Sequence, residues 1–398
     1  MITREALMVL ENNLTFTKYV RRDFDDEFGR SGAKIGTVLN IRKPPRYVGR
    51  VGQALQLEDA TETSVPLVLN VQRGVDVVFS SQDLALSIDD FSKRFIEPAI
   101  ANVANGIDFD GLTQYLNVYN EIGVPLTVPN QLLTYLQAGQ RLDEEAAPRD
   151  KERSLVVSPA MQATIVDALK GLFQDGEEIA KQYENGTMGR TIGFKWSMDQ
   201  NVRTQTVGVY AGTFGTINAA NQSGSAITTT GWAASTAILN QGDVVSFPGC
   251  YAVNPQNKQS TGALRQFVVT ANVVSGSGAG LATIPIAGPG GLGIVLAGPF
   301  QTCTASPTNG SAVNIQGASG VSSPRGLAFH KDAFAFACAD LPLPGGVDIA
   351  DRANDKQLGC SIRLVRAYDI NSDRFPTRLD ILYGWATLYP ELACRIAS

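Results

Sequence analysis

A single histidine, His330, stands in 398 residues, and that scarcity removes most catalytic and metal-binding constellations. No H-E-x-x-H pair, no His-rich zinc site and no second proton shuttle can form. His330 could serve only a lone Ser-His-Asp or Cys-His arrangement, and no G-x-S-x-G elbow is present to partner it. A hydrolase using His330 is therefore the remote alternative, and a helix-start or surface histidine is the expectation. There is no G-x-x-x-x-G-K-[ST] loop either, so ATP-driven packaging is not expected of this chain. Gly288, Gly290 and Gly293 satisfy G-x-G-x-x-G formally, but no helix is predicted after them and no acid follows within twenty residues. Without a helix N-terminus and that acid, a turn-rich β segment is expected rather than a dinucleotide site, and no cofactor is implied.

Charge is sparse as well. Charged residues make up 18%, with 33 Lys and Arg against 38 Asp and Glu, for a formal net charge of -5. A protein that binds through phosphates needs a basic excess, so this chain can enclose nucleic acid without gripping it. The longest charge-free apolar stretch, Leu281 to Phe300, contains Pro285, Pro289, Pro299 and five glycines, a composition that cannot satisfy a spanning helix; no membrane segment is expected. The start, MITREALMVLENNL, lacks an uninterrupted apolar core, so a secretory signal is not expected and synthesis in the cytosol follows. The five cysteines (Cys250, Cys303, Cys338, Cys360, Cys394) form no C-x-x-C pair and read as buried free thiols. Paired carboxylates at Asp89/Asp90, Glu144/Glu145 and Glu177/Glu178 fall at expected helix starts or on polar helical faces, where dipole and solubility roles suffice.

What is present is a folded composition, 44% hydrophobic, long enough for two cores or for one core with a large insertion. Residues 3 to 24 read as a helix with Leu7, Leu10, Leu14 and Tyr19 on one face. Residues 36 to 86 carry two extended segments, TVLNIRKPP and VPLVLNVQRGVDVVFS, joined by a polar excursion: a large hairpin too thin to bury a core alone. A capping-box variant, Ser87-x-x-Asp90, opens a long helix with Phe91, Phe95, Ala99, Ile100, Val103 and Ile107 at helical spacing, bent at Pro98. Residues 131 to 206 alternate helices (QLLTYLQAGQRLDEEAA, AMQATIVDALKGLF, GEEIAKQYENG) with strands (SLVVSP, GFKWSMD), implying a sheet covered by helices.

At about residue 207 the chemistry shifts. Between Arg203 and Lys331 the only acid is Asp243 and the only Lys or Arg residues are Lys258, Arg265 and Arg325. Strand-like runs separated by turn formers predict an inserted all-β domain there. After it, a short helix at HKDAFAFACAD and strands at CSIRLVRAYD and RLDILYGWATLYP are expected to complete the sheet begun earlier.

On the hairpin, Arg42, Lys43, Arg46 and Arg50 precede the acids Glu58, Asp59 and Glu62. Opposite charges segregated along a protruding arm would complement a second copy in a symmetric lattice, which makes these seven the candidates for contact between subunits; the alternative is an ordinary solvated hairpin.

The order of N-terminal helix, the hairpin segment RKPPRYVGRVGQALQLEDATETSVPLVLNVQRGVDVVFSSQDLALSIDDF, the segment NGTMGRTIGFKWSMDQNV and GLAFHKDAFAFA before a β-rich terminus resembles tailed-phage coat proteins of the Salmonella podophage type, over nearly the whole chain. The resemblance implies an α+β chain with the tailed-phage/herpesvirus major capsid protein fold and an inserted all-β barrel. Its parts would be an N-arm (1–35), an E-loop hairpin (36–86), a P-domain spine helix (87–125), the first part of an A-domain (126–206), an I-domain (207–322), and A-domain completion with P-domain strands (323–398). LNQGDVVSFPGCYAV and RQFVVTANVV are similar in order and type to the barrel strands of that insertion. The function implied is self-assembly into hexamers and pentamers of an icosahedral head. A scaffolding protein would act during assembly, a portal protein would occupy one vertex, decoration proteins could be added, and packaged double-stranded DNA would be enclosed without sequence-specific binding. An encapsulin-like compartment shell is the alternative with the same fold. The expected location is the virion capsid, after synthesis in the host cytoplasm, with no membrane partner.

Overall fold

In the computed structural model, which describes residues 2–23, 38–50, 52–55, 57–80, 96–169, 189–210, 214–355 and 359–398, the chain forms two units, each gathering segments distant in sequence. From the N-terminus, α1 (Ile2–Asn13) is followed by β1 (Val38–Lys43), β2 (Thr63–Val68), β3 (Val71–Ser80) and α2 (Glu97–Leu112). Next come β4 (Glu121–Ile122), α3 (Leu132–Glu144), β5 (Arg153–Val157), α4 (Pro159–Leu169), β6 (Arg190–Thr191), β7 (Phe194–Met198), β8 (Thr204–Thr206) and β9 (Thr216–Ile217). A helix-poor series continues with β10 (Ala226–Thr230), β11 (Ala237–Leu239), β12 (Val244–Val253), β13 (Ser260–Val269), β14 (Val273–Val274), β15 (Ala282–Ala287) and β16 (Asn314–Ile315). The last strands are β17 (Ser322–His330), β18 (Phe334–Ala339), β19 (Ile349–Asp355), β20 (Cys360–Arg366), β21 (Arg374–Thr387) and β22 (Ala393–Ala397).

The first unit comprises Met1–Arg42, Ser64–Leu112 and Phe334–Ala386. Its sheet runs β18-β21-β20-β19, with β3 also pairing β21 in antiparallel register from Arg374↔Ser80 to Tyr383↔Val71. The run VPLVLNVQRGVDVVFS thus divides: β2 pairs β1, and β3 joins the sheet. The expected helix at HKDAFAFACAD is instead a 3-10 turn followed by β18. The sequence Phe-Ala-Phe-Ala-Cys-Ala alternates large and small residues with the period of a strand. Phe334 and Phe336 join Phe16 and Trp385 in an aromatic cluster with centroids 4.8 to 5.6 Å apart, while Ala337 packs with Leu67, Leu69 and Ala386. Gly111 lets α2 approach this cluster, since a Cβ there would stand 2.5 Å from the Trp385 ring.

Helix α1 stops at Asn13 rather than near residue 24, and the cause is Asp108 on α2. Its carboxylate accepts the Thr15 amide at 2.5 Å, the Thr17 amide at 3.0 Å and the Thr17 hydroxyl at 2.6 Å, which draws the chain out of the helix into the 3-10 turn Phe16–Tyr19. Pro98 lies at the second residue of α2 as described, directly after the π-helical Ile96, and the expected course of the helix before Ile96 lies outside the described residues. Ser87, Asp89, Asp90, Phe91 and Phe95, and the pair Glu177/Glu178 with the expected helix around it, lie outside the described residues.

The second unit comprises Lys43–Thr63, Thr113–Ala333 and Thr387–Ser398. Its main sheet runs β4-β22-β17-β5-β7-β6, with β8 also on β17. β5 and β7 are parallel, and β17 is antiparallel to both β5 and β22. Every residue of β5 and β22 is buried, as expected of strands covered on both faces. Tyr135, Ala138 and Leu142 of α3 and Met161 and Ile165 of α4 pack with Leu155, Val157, Phe194, Trp196 and Ile396 from the sheet. The strands after residue 322 therefore complete a sheet begun before residue 206.

Between them in sequence lies a further β layer of the same unit. β8 and β17 pair antiparallel as Thr206↔Ser322, Gln205↔Ser323 and Thr204↔Pro324, so the chain leaves and re-enters side by side. Beyond this stem a six-stranded sheet, β16-β12-β13-β15-β10-β9, and the pair β11-β14 enclose a core of Ile227, Trp232, Ile238, Phe247, Phe267, Ile284 and their neighbours. Two cysteines correct the expectation of five free thiols: Cys250 and Cys303 form a disulfide with Cα atoms 5.6 Å apart. The bridge between Ala252 and Cys303 brings them close, a proximity that a sequence separation of 53 hides. Cys338, Cys360 and Cys394 are buried and free, and burial pushes the Cys394 thiol up to about 12. Among the described residues no helix is long and apolar enough to cross a membrane, and Leu281 to Phe300 holds β15 and the 3-10 turn Pro289–Gly291.

Candidate assembly surfaces

The seven charged candidates on the arm do not stay together. Arg42 is exposed on β1, whereas Lys43 is buried at its end with Nζ 4.9 Å over the Tyr389 ring. Burial pulls the Lys43 ammonium below the ordinary lysine value, with Glu391 opposing that shift. Arg46 pairs with Glu391 of its own chain, and its guanidinium lies 5.8 Å from the Phe300 ring centroid. Arg50 donates to the Gly52 and Ala54 carbonyls at 2.7 and 3.0 Å, and Glu58 accepts the Val48 and Gly49 amides at 2.7 and 2.8 Å. These local bonds brace the tip as a formed loop, while Asp59 and Glu62 are exposed. Around them Tyr47, Val48, Leu55 and Leu57 are exposed, the last two at 76% and 88%.

Interior charges were harder to foresee. Glu121, on β4, receives Arg325 from β17 and Arg395 from β22, each Nε at 3.2 Å from a different carboxylate oxygen, all three side chains buried. Arg395 also donates to the Gly242 carbonyl at 2.7 Å. Asp243 accepts the Asn240 and Gly208 amides and the Gln205 amide group at 2.8 to 2.9 Å; burial raises its pKa against those donors. Arg265 of β13 pairs with Glu145 and donates to the Val253 and Thr302 carbonyls. Lys258 donates to the Pro299 carbonyl at 2.6 Å. The four charged residues of the charge-poor stretch are thus all engaged in holding structure. Glu145 corrects the expectation of a solvated pair: it is buried at the C-terminal cap of α3, while Glu144 meets Arg141 at 3.1 Å.

His330 is buried, with Nε2 3.1 Å from the Asp150 carboxylate and Nδ1 accepting the Asp332 amide at 3.3 Å. It ends β17 immediately before the 3-10 turn Lys331–Ala333, so it stands at a helix start as expected but is buried rather than on the surface. A cleft of about 880 Å³ between α3 and the β6–β7 hairpin is lined by Leu136, Gln140, Asp143, Arg149, Lys151 and Arg190. Its Asp143 is committed to Arg149 and, at 2.8 Å, to Arg153, and among the described residues no serine, cysteine or histidine lines it. Among the described residues no group of His, Cys, Asp and Glu could hold a metal ion.

The arm carries a braced tip with exposed apolar side chains beside a mixed sheet, and comparison with known proteins gives the chain's kind. The family model described as P22 coat protein, gene protein 5, matches residues 61–395. The chain belongs to the P22 coat protein family. It is a bacteriophage major capsid protein that forms the phage shell, and its family's role is structural rather than enzymatic. No curated protein matches the chain. Among solved structures it is similar to one from Mycobacterium phage Che8, at 12% identity and a TM-score of 0.50, covering 97% of this chain and 92% of the other. It is also similar to the capsid structure of Cyanophage P-SCSP1u, at 11% identity and a TM-score of 0.49, covering 96% and 88%. The first likeness gives the coat protein an α+β phage-capsid fold.

Proposed function

We propose that the coat protein assembles through its arm, β1 and β2 with the loop between them, which lies on an adjacent subunit of a hexamer or pentamer. The observation that carries this reading is the tip: Leu55 and Leu57 are 76% and 88% exposed on a loop already braced by Glu58 and Arg50. A preformed loop loses little conformational freedom on docking, and its leucines gain most when a partner covers them. Arg42, Arg50, Asp59 and Glu62, exposed beside them, would supply the charge contacts, whereas Lys43 and Arg46 face their own chain and Glu58 braces the loop.

Residues 207–322 would be the I-domain, the E-loop would span 36–86, and the other N-arm, P-domain and A-domain limits would follow the boundaries read from the sequence. A scaffolding protein during assembly, a portal protein at one vertex, decoration proteins on the shell and packaged DNA within are the partners this role calls for. A net charge of -5 supports DNA that is enclosed rather than gripped. Synthesis in the host cytoplasm would precede incorporation into the virion. Electron microscopy of purified protein tests the arm. Parent chains should form shells, and deletion of 48–62 or the pair Leu55→Ser and Leu57→Ser should leave soluble subunits with weakened capsomer contacts. Shells at unchanged yield and stability would refute the arm reading.

A further inference from the structure

Three segments far apart in sequence converge on one buried carboxylate. Glu391, in the short 3-10 turn Pro390–Leu392, has a side chain only 5% exposed. One oxygen takes the Arg46 guanidinium; the other accepts the Gly290 amide at 3.0 Å. Arg46 lies over Phe300 and Lys43 over Tyr389, so cations from the start of the 43–63 segment rest on aromatic rings either side of the carboxylate. Gly290, the middle glycine of the formal G-x-G-x-x-G match, has φ +68, and its neighbour Gly293 packs so closely that a Cβ would overlap the Gly224 carbonyl. The glycine turn presents an amide to an acid of its own chain.

We infer that Glu391 is a positioning residue: it locks the start of the 43–63 segment to the Pro289–Phe300 edge of the β insertion. The geometry requires a carboxylate. Two acceptor oxygens serve a guanidinium and an amide at once, and burial of the carboxylate makes loss of either partner costly. Glutamine would keep an acceptor for Gly290 but would lose the charge that holds Arg46. The consequence for assembly rests on the arm reading above, whereas the lock belongs to the isolated subunit.

Hydrogen exchange on soluble subunits tests it. In Glu391→Gln and in Arg46→Met, amides of residues 46–50 should exchange about tenfold faster. The double variant should exchange no faster than either single, and amides of β12 and β13 should keep the parent rate. The charge swap Arg46→Glu with Glu391→Arg should recover part of the protection. Unchanged exchange at 46–50, additive effects, or a rise spread over β12 and β13 would each overturn the inference, the last by making Glu391 an ordinary core residue. If exchange rises as expected but the variants form shells like the parent, the lock stands and the arm reading fails.

Discussion

Arg265 and Glu145 form an ion pair whose side chains are 2% and 6% exposed, joining β13 of the insertion to the C-terminal cap of α3. The same guanidinium lies 5.9 Å from the Tyr119 ring centroid, and the Thr302 and Val253 carbonyls accept from Nε and the second terminal nitrogen. With its donors engaged, the guanidinium tolerates burial, and its attraction to Glu145 offsets desolvation of both charges.

Removing one member of this pair strands the other. Glu145→Ala should cost about 3 to 5 kcal/mol of subunit stability, and replacing both by apolar residues of similar volume should cost much less. Denaturant unfolding of soluble subunits gives both values, and equal losses in the two variants would show that packing, not charge, dominates at this seam.

Asp143 gives the coat protein an acid-sensitive contact. The hydrogen bond from Arg149, joined by Arg153, holds its carboxyl below the ordinary value of 3.8. A depressed folded pKa contributes stability that is present above the unfolded value and is lost as pH falls through the folded one. Asp143→Asn should therefore flatten the part of the stability profile below about pH 3.8 and leave neutral stability within about 1 kcal/mol, since Arg149 is exposed and screened. Melting temperature against pH for parent and variant measures the difference.

The disulfide should be countable and should stabilise. Denatured, unreduced protein should titrate three thiols per chain, those of Cys338, Cys360 and Cys394, and reduced protein five. Closing a 53-residue separation constrains the unfolded chain by up to about 4 kcal/mol, so Cys250→Ala with Cys303→Ala should lower the melt, and reductant should then have no further effect.

Local pattern made much of this fold legible. Arg153–Val157 and Phe194–Met198 stood out as strands beside amphipathic helices, and the loss of charge after Arg203 marked the β layer. Where two patterns competed, the sequence misled: Phe334–Ala339 is rich in alanine and reads as helix, yet its large-small alternation has the period of a strand. Partnerships across long separations left no local trace. Glu145 with Arg265, Arg46 with Glu391, and Cys250 with Cys303 are each set by tertiary approach, and neither spacing nor composition announces them. The arm's candidates were partly separable in principle, because Lys43 ends an alternating strand on the buried side of its pleat.

The inserted domain proposed above, residues 207–322, should fold on its own. Its apolar core draws only on residues from Val207 to Val313, and its strands pair among themselves beyond the stem of β8 and β17. About 115 residues can bury a sufficient core, and the Cys250–Cys303 bond adds to it. Its links to the rest of the coat protein include Arg265 to Glu145, Gln266 with the Glu121 backbone, Arg395 to the Gly242 carbonyl and Glu391 to the Gly290 amide. Excision exposes Arg265 to water rather than leaving it buried without its partner, so the penalty that Glu145→Ala incurs in the full chain should not arise in the fragment. The isolated fragment should give β-rich circular dichroism and a cooperative melt, and Arg265→Leu should change that melt by less than about 1 kcal/mol. A fragment that stays disordered under native conditions would show that the seam, and not the apolar core, holds these strands together.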